Sequence, residues 1–346
     1  MVDNTRSNPH ALGRDSGVRR APKGRWGWSR HVTQMRRPRL TLLLVVCLTA
    51  ATSHADRQVI LRDGRNLELD ISSQFSERQR QHIVDWVSFI AESLSQVYGQ
   101  WPRKLWRIDV QPISGTYKDT IPWGQVNRGQ PDTVHFYVLN GANTQQLIDN
   151  WTGYHELAHL LIPYKGGGDR WFSEGLASYY QGILQARAGV INEQALWQKL
   201  LDGFNRGRKQ DQFNGIPLSQ VGDEMRENRA FMRVYWSGAW YFLAADVQLR
   251  QQSGGRASLD TALAALNQCC ADRQMSAQEM VEALDRENRL VLFEPLFIKT
   301  NSSTRLPEFD AIFASLGISI IGDQVVLQTE GPGADLRRNI SQRKTL

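Results

Sequence analysis

The chain is 346 residues long, 41% hydrophobic and 22% charged, with a formal net charge of +6. That balance fits a globular protein, and only three cysteines exclude a small disulfide scaffold. The basic excess is confined to residues 1–55, which hold ten Lys and Arg against two Asp and Glu; the remaining 31 basic and 33 acidic residues leave a net charge of −2 and no reason to expect a nucleic-acid partner.

The first residues behave as an address label. Residues 1–34 read as a non-native stretch or an extended n-region. Residues 35–55 read as a signal peptide: Met35-Arg36-Arg37-Pro38-Arg39 is positive, residues 40–51 supply twelve mainly apolar positions, and Ser53-His54-Ala55 offers a small-x-small cleavage site. Twelve residues are too few to span a bilayer, so the expectation is export to the periplasm or the medium without a stable membrane span. The chain from residue 56 onward is long enough to bury a sizeable core.

Residues 56–165 read as a sheet-containing lobe. Strand signals fall at 58–61 and 67–71, and a helix is predicted over 76–98, with Ser76 and Gln79 as a capping box. Residues 105–113 and 133–139 are rich in β-branched and aromatic side chains, and 115–129 reads as a loop or hairpin carrying Trp123. The 133–140 segment is either an edge strand able to pair with an extended peptide or an interior strand. His82 and His135 read as surface or satisfied residues.

Residues 146–162 place Leu147, Ile148, Trp151, Tyr154, Leu157, Ala158 and Leu161 at helical spacing, which predicts one mostly buried helix. That helix carries His155-Glu156-Leu157-Ala158-His159. Two histidines one turn apart project from the same face and can reach one metal ion, while Glu156 beside them can take a proton from water. Pro163 and Gly166-Gly167-Gly168 end the helix, and a second helical pattern covers 172–186. The short connection predicts neighbouring helices, which brings Glu174 over the histidines as a third ligand and leaves one coordination position open.

Residues 166–328 read as a mainly helical lobe, with breaks at 203–217 and 253–255. A helix over 230–252 holds Val234-Tyr235-Trp236-Ser237-Gly238-Ala239. Cys269 and Cys270 are adjacent, and we expect two reduced thiols at a helix end, with a vicinal disulfide in an oxidising compartment as the alternative. Residues 318–327 suit a hairpin across Gly322-Asp323, and 329–346 reads as a flexible polar tail. The fold class is therefore α+β, with a small mixed-sheet lobe, then the histidine helix, then a mainly helical lobe.

Trp171-Phe172-Ser173-Glu174-Gly175-Leu176-Ala177-Ser178-Tyr179 matches the W-x-x-E-G-x-A-x-Y block that accompanies H-E-x-x-H in the gluzincin metallopeptidases. Residues 235–239 match their Y-x-K-G-A block except that Ser237 stands at the lysine. With residues 275–284 and 306–318, the chain resembles the glycyl aminopeptidase family and the catalytic domain of aminopeptidase N-like enzymes over about residues 140–325. The resemblance implies a thermolysin-like catalytic domain and one Zn2+ held by His155, His159 and Glu174. It further implies Glu156 as general base, Tyr235 as oxyanion donor, and a peptide or protein substrate. Two features depart from it. The spacer between His159 and Glu174 is a few residues short, and nothing reads G-x-M-E-N, the strand that grips a free amino terminus; Asn140-Gly141-Ala142-Asn143 is the nearest string and lacks the acid. Endopeptidase and aminopeptidase activity both stay open. The rival reading is a catalytically inactive, zinc-containing envelope binding or scaffold protein.

Overall fold

Strand alternation builds the first layer. The computed structural model describes residues 57–343; residues 1–34 and the leader 35–55 lie outside the described residues. Strands β1 (Arg57–Arg62), β2 (Arg65–Ile71), β3 (Leu105–Ile113), β4 (Trp123–Asn127) and β5 (Asp132–Leu139) form one mixed sheet in the order β1-β2-β3-β5-β4. The β2/β3 and β3/β5 pairs are parallel, and β1/β2 and β4/β5 are antiparallel. Strand β5 is thus interior, between β3 and β4. Of the two readings of 133–140 the edge strand is corrected, because the 115–129 hairpin supplies β4 as the edge.

Helix α1 (Glu77–Ser95) crosses over between parallel β2 and β3 and covers one face of the sheet. Its Ile83, Trp86, Val87, Ile90 and Leu94 are fully buried, and so are Trp106, Ile108, Val110, Val134, Phe136 and Val138 from the strands. The Trp86 ring meets Phe136 edge-on at 5.1 Å. The opposite face is polar: Arg107 bonds Glu68 at 2.6 Å, and His135 Nδ1 lies 3.6 Å from Asp109. Half of the predicted capping box forms. Ser76 accepts from the Gln79 amide, but the Gln79 side chain instead donates to the Leu139 carbonyl and accepts from the Gly141 amide, tying the end of β5 to α1.

The single helix predicted over 146–162 is two helices, α2 (Thr144–Asp149) and α3 (Trp151–Ala158), with a short 3-10 turn at His159–Leu161. Asn150 makes the break. Its backbone is extended (φ −74°, ψ 132°), and its side chain accepts from the Thr152 amide as an N-cap, the position where Asn outcompetes a helix interior. The apolar period runs through the break because both helices face the same core.

Helices α4 (Arg170–Arg187), α5 (Glu193–Arg208), α6 (Leu218–Asp223), α7 (Phe231–Ser253), α8 (Leu259–Cys270), α9 (Ala277–Asn288), α10 (Phe293–Asn301) and α11 (Asp310–Ser315) come next. They share one hydrophobic core with the sheet. The break expected from residue 203 begins only after Arg208. Gly203 and Gly207 are helical, and a Cβ on Gly203 would lie 2.2 Å from the Trp236 ring, so these glycines admit α7 instead of ending α5. Strands β6 (Ile318–Ile321) and β7 (Gln324–Leu327) form the hairpin expected around Gly322.

Two expectations are corrected near the C-terminal end. Cys269 and Cys270 are joined as a vicinal disulfide where α8 ends. Within the stretch read as a flexible tail, Pro332–Ser341 forms helix α12. Its polar composition conceals one inward stripe of Ala334, Arg337, Ile340 and Ser341. The buried Arg337 donates to the carbonyls of Leu316, Gly317 and Gln328 and pairs with Glu193. Among the described residues no helix is long and apolar enough to cross a membrane.

Candidate metal centre

Two glycines bring the site's pieces together. Helix α4 packs on both α3 and α7. A Cβ on Gly175 would lie 2.3 Å from the Gly238 backbone, and one on Gly238 would lie 2.1 Å from the Trp171 carbonyl oxygen. No side chain fits at either position, so the backbones of α4 and α7 cross in contact. Glu174 immediately precedes the first glycine, and Tyr235 lies almost one turn before the second. The contact therefore sets both side chains beside α3.

His155, His159 and Glu174 offer three ligand atoms that all lie within 4.8 Å of one another. Glu174 Oε2 is 3.3 Å from His155 Nε2 and 3.6 Å from His159 Nε2. The other nitrogen of each ring is tethered: His155 Nδ1 meets Gln181 Oε1 at 2.9 Å, and His159 Nδ1 meets Ser173 Oγ at 2.9 Å. With its proton on Nδ1, each ring would have Nε2 free to serve as a ligand at the convergence point, the tautomer a metal needs. Ser178, one turn past Glu174, bonds neither ring. Gln181, two turns past Glu174 on the same helical face, was available as a signal.

The electrostatics derive from burial. Burial pulls the His159 imidazole down to about 3. It pulls His155 down as well, but the Glu174 hydrogen bond and the charges of Glu156 and Glu174 outweigh it and leave His155 raised. Burial alone would raise Glu174; the two imidazoles and a hydrogen bond from Tyr235 instead hold its carboxyl at about 2. Glu156 is pushed up to about 7, chiefly by burial. Two carboxyl groups and two imidazoles thus sit together in a buried site where no arginine or lysine pairs with either carboxylate among the described residues, an arrangement that a divalent ion would balance. Two imidazoles and one carboxylate are a donor set that suits zinc.

Glu156 faces the edge strand. A Cβ on Gly124 of β4 would stand 2.5 Å from Glu156 Cγ, so only glycine leaves the carboxylate its place. Tyr235 stacks on His155, with ring centroids 5.8 Å apart and planes 24° apart. Burial, then the charges of Glu174 and Glu156, hold its hydroxyl proton far above the usual phenol range, so it remains a donor. The far end of the histidine helix is anchored by residues that periodicity did not reveal. Arg128 donates to the His159 carbonyl at 2.6 Å, and both Arg128 and Arg103 donate to the Ile162 carbonyl.

No family model matches the chain, and no curated protein matches it. Solved structures do. The chain is similar to an aminopeptidase N family protein from Idiomarina loihiensis, with a TM-score of 0.58 and 13% identity over 76% of this chain and 49% of that one. It also aligns with an M1 zinc metallopeptidase from Deinococcus radiodurans, at a TM-score of 0.45 and 15% identity over 73% of this chain and 52% of that one. Yeast LTA4 hydrolase in complex with bestatin aligns at a TM-score of 0.44 and 15% identity over 74% of this chain and 39% of that one. The Idiomarina structure, of the aminopeptidase N family, shows the shared fold. The chain spans about half or less of the length of these proteins.

Proposed function

We propose that the chain is an exported, zinc-dependent metallopeptidase of gluzincin type with a thermolysin-like catalytic region, hydrolysing peptide bonds in the periplasm or the medium. The observation that carries this reading is the convergence of His155, His159 and Glu174 beside a buried Glu156 and the Tyr235 hydroxyl. A single zinc ion held by the three ligands would supply Lewis acidity toward water and the scissile carbonyl. Glu156 Oε takes the proton of the attacking water and passes it to the leaving amine. The Tyr235 hydroxyl donates to the oxyanion as charge develops there. Gln181 and Ser173 hold the two imidazoles in the orientation that presents Nε2.

The exposed rim of β4, with Gly124 against Glu156, is where an extended peptide would pair its backbone. Strand β4 reads Trp123-Gly124-Gln125-Val126-Asn127 and carries no carboxylate to hold a free amino terminus. That favours cleavage inside a chain over removal of its first residue. An inactive scaffold would need neither a buried Glu156 nor a tyrosine held as donor, so the rival reading is the weaker. The test is a mixture of internally quenched peptides, free or acetylated at the amino end, with metal analysis of the same preparation. We expect about one zinc per chain, cleavage abolished by chelator, and acetylated peptides cut as fast as free ones. Zinc-loaded protein that cuts nothing would return the scaffold.

A further inference from the structure

A second cluster of charge lies beyond the far end of the histidine helix. A cavity of about 390 Å³ opens there, lined by Arg103, Lys104, Arg128, Asp132, Asp272 and Arg273. Four cations against two carboxylates line it. Its inner wall is more unbalanced than that count suggests. Arg103 is 8% exposed and the Arg128 side chain 13%, and both pair with the same carboxylate, Asp132. Asp132 Oδ2 accepts from Arg103 Nε at 3.0 Å and from Arg128 Nη1 at 3.3 Å, while Oδ1 accepts from the Gly129 amide at 3.0 Å. One buried carboxylate therefore serves two guanidinium groups and has little capacity left.

Most of the remaining donors are accounted for. Arg128 spends its Nη groups on Asp132 and on the carbonyls of His159 and Ile162, and Arg103 Nη2 donates to the Ile162 carbonyl at 2.9 Å. Arg103 Nη1 is buried and has no protein partner. An unpaired buried donor on a cation is destabilising, and so is a surplus buried positive charge. An anion in the cavity offsets the surplus charge that lines it.

We propose that this cavity binds a small molecule through a phosphate or carboxylate group, with Arg103 as the buried contact and Lys104 and Arg273 closing on the anion from the rim. The volume lies in the range of small-ligand sites. Planar guanidinium groups match both oxyanions. The site is separate from the three metal ligands, although Arg128 also holds the His159 carbonyl, so the two regions share one guanidinium.

The test is calorimetric titration of the full chain, zinc-loaded and metal-free, with inorganic phosphate and separately with acetate at constant ionic strength. The expected result is one saturable site for at least one oxyanion, present in both metal states. The tighter of the two names the recognised group. The double variant Lys104→Glu/Arg273→Glu changes only exposed rim residues; it should weaken binding about tenfold or more. Arg103→Gln should abolish binding if the protein folds, and the rim variant carries the test if it does not. Absence of saturation by either anion up to concentrations on the order of 100 mM overturns the proposal. So does binding that vanishes with the metal, or binding that the rim variant leaves unchanged. Hydrolysis is not measured, so this outcome is independent of the peptidase reading.

Discussion

Helices α4 and α7 carry two buried polar clusters, one toward α3 and one toward α8, and the contrast between them separates architecture from chemistry. In the second, Tyr179 donates to Asp246 and Tyr180 to Asp260, each at 2.8 Å. Arg187 grips Asp260 through two bonds of 3.1 and 2.9 Å, and Arg250 Nε meets Asp246 at 2.8 Å. Asp246 also accepts from the Leu259 amide that starts α8, and Arg187 donates to the Ile340 carbonyl of α12. Two arginines face two aspartates, and the charge closes on itself. In the cluster of His155, His159, Glu174 and Glu156 no arginine or lysine pairs with either carboxylate among the described residues, and Arg128 reaches only the His159 backbone carbonyl. A closed cluster ties helices together; one whose ligand atoms converge without an arginine or lysine to pair its carboxylates has the donors to take a cation.

The sharpest way to break this comparison is to perturb one member of each cluster. Glu156→Gln should lower turnover about 10²–10⁴-fold while zinc content and unfolding midpoint stay at wild-type values. Hydrolysis within about threefold of wild type would remove Glu156 from the base role. Asp260→Ala should act in the opposite sense. It strands the Arg187 guanidinium in the interior and should cost about 3–5 kcal/mol in urea unfolding, with turnover per folded molecule unchanged. If Asp260→Ala reduces turnover as Glu156→Gln does, the two clusters are not independent.

The same contrast explains what could be read from the sequence. His155, His159, Glu174, Glu156 and Tyr235 stood in recognisable spacings, and the structure brings all five together. Strand boundaries at 105–113 and the hairpin about Gly322 were legible because alternation and turn residues act locally. What stayed hidden depends on distant partners. The edge position of β4 is set by sheet order, which no run of five residues encodes. Gly203 reads as a breaker until Trp236 is seen lying against it, and Arg337 reads as a tail charge until three carbonyls surround it. Asn150 was a readable cap, masked by an apolar period that continued through it.

The smallest expected effect tests how finely the open cluster is tuned. Gln181 offers His155 a neutral carbonyl oxygen at 2.9 Å, and that bond keeps the proton on Nδ1. Gln181→Leu removes the acceptor, so the ring loses both its orientation and its fixed tautomer. Zinc affinity, measured by competition with a chromogenic chelator, should then fall about 10–100-fold with the fold intact by circular dichroism. Gln181→Glu should move affinity the other way, because a carboxylate is the stronger acceptor and makes Nε2 more electron-rich. A purely structural Gln181 would give loss in both variants, through a void in one and a buried charge in the other. Opposite signs from leucine and glutamate therefore identify it as the residue that sets the donor strength of His155, and equal losses return it to the packing of α3 on α4.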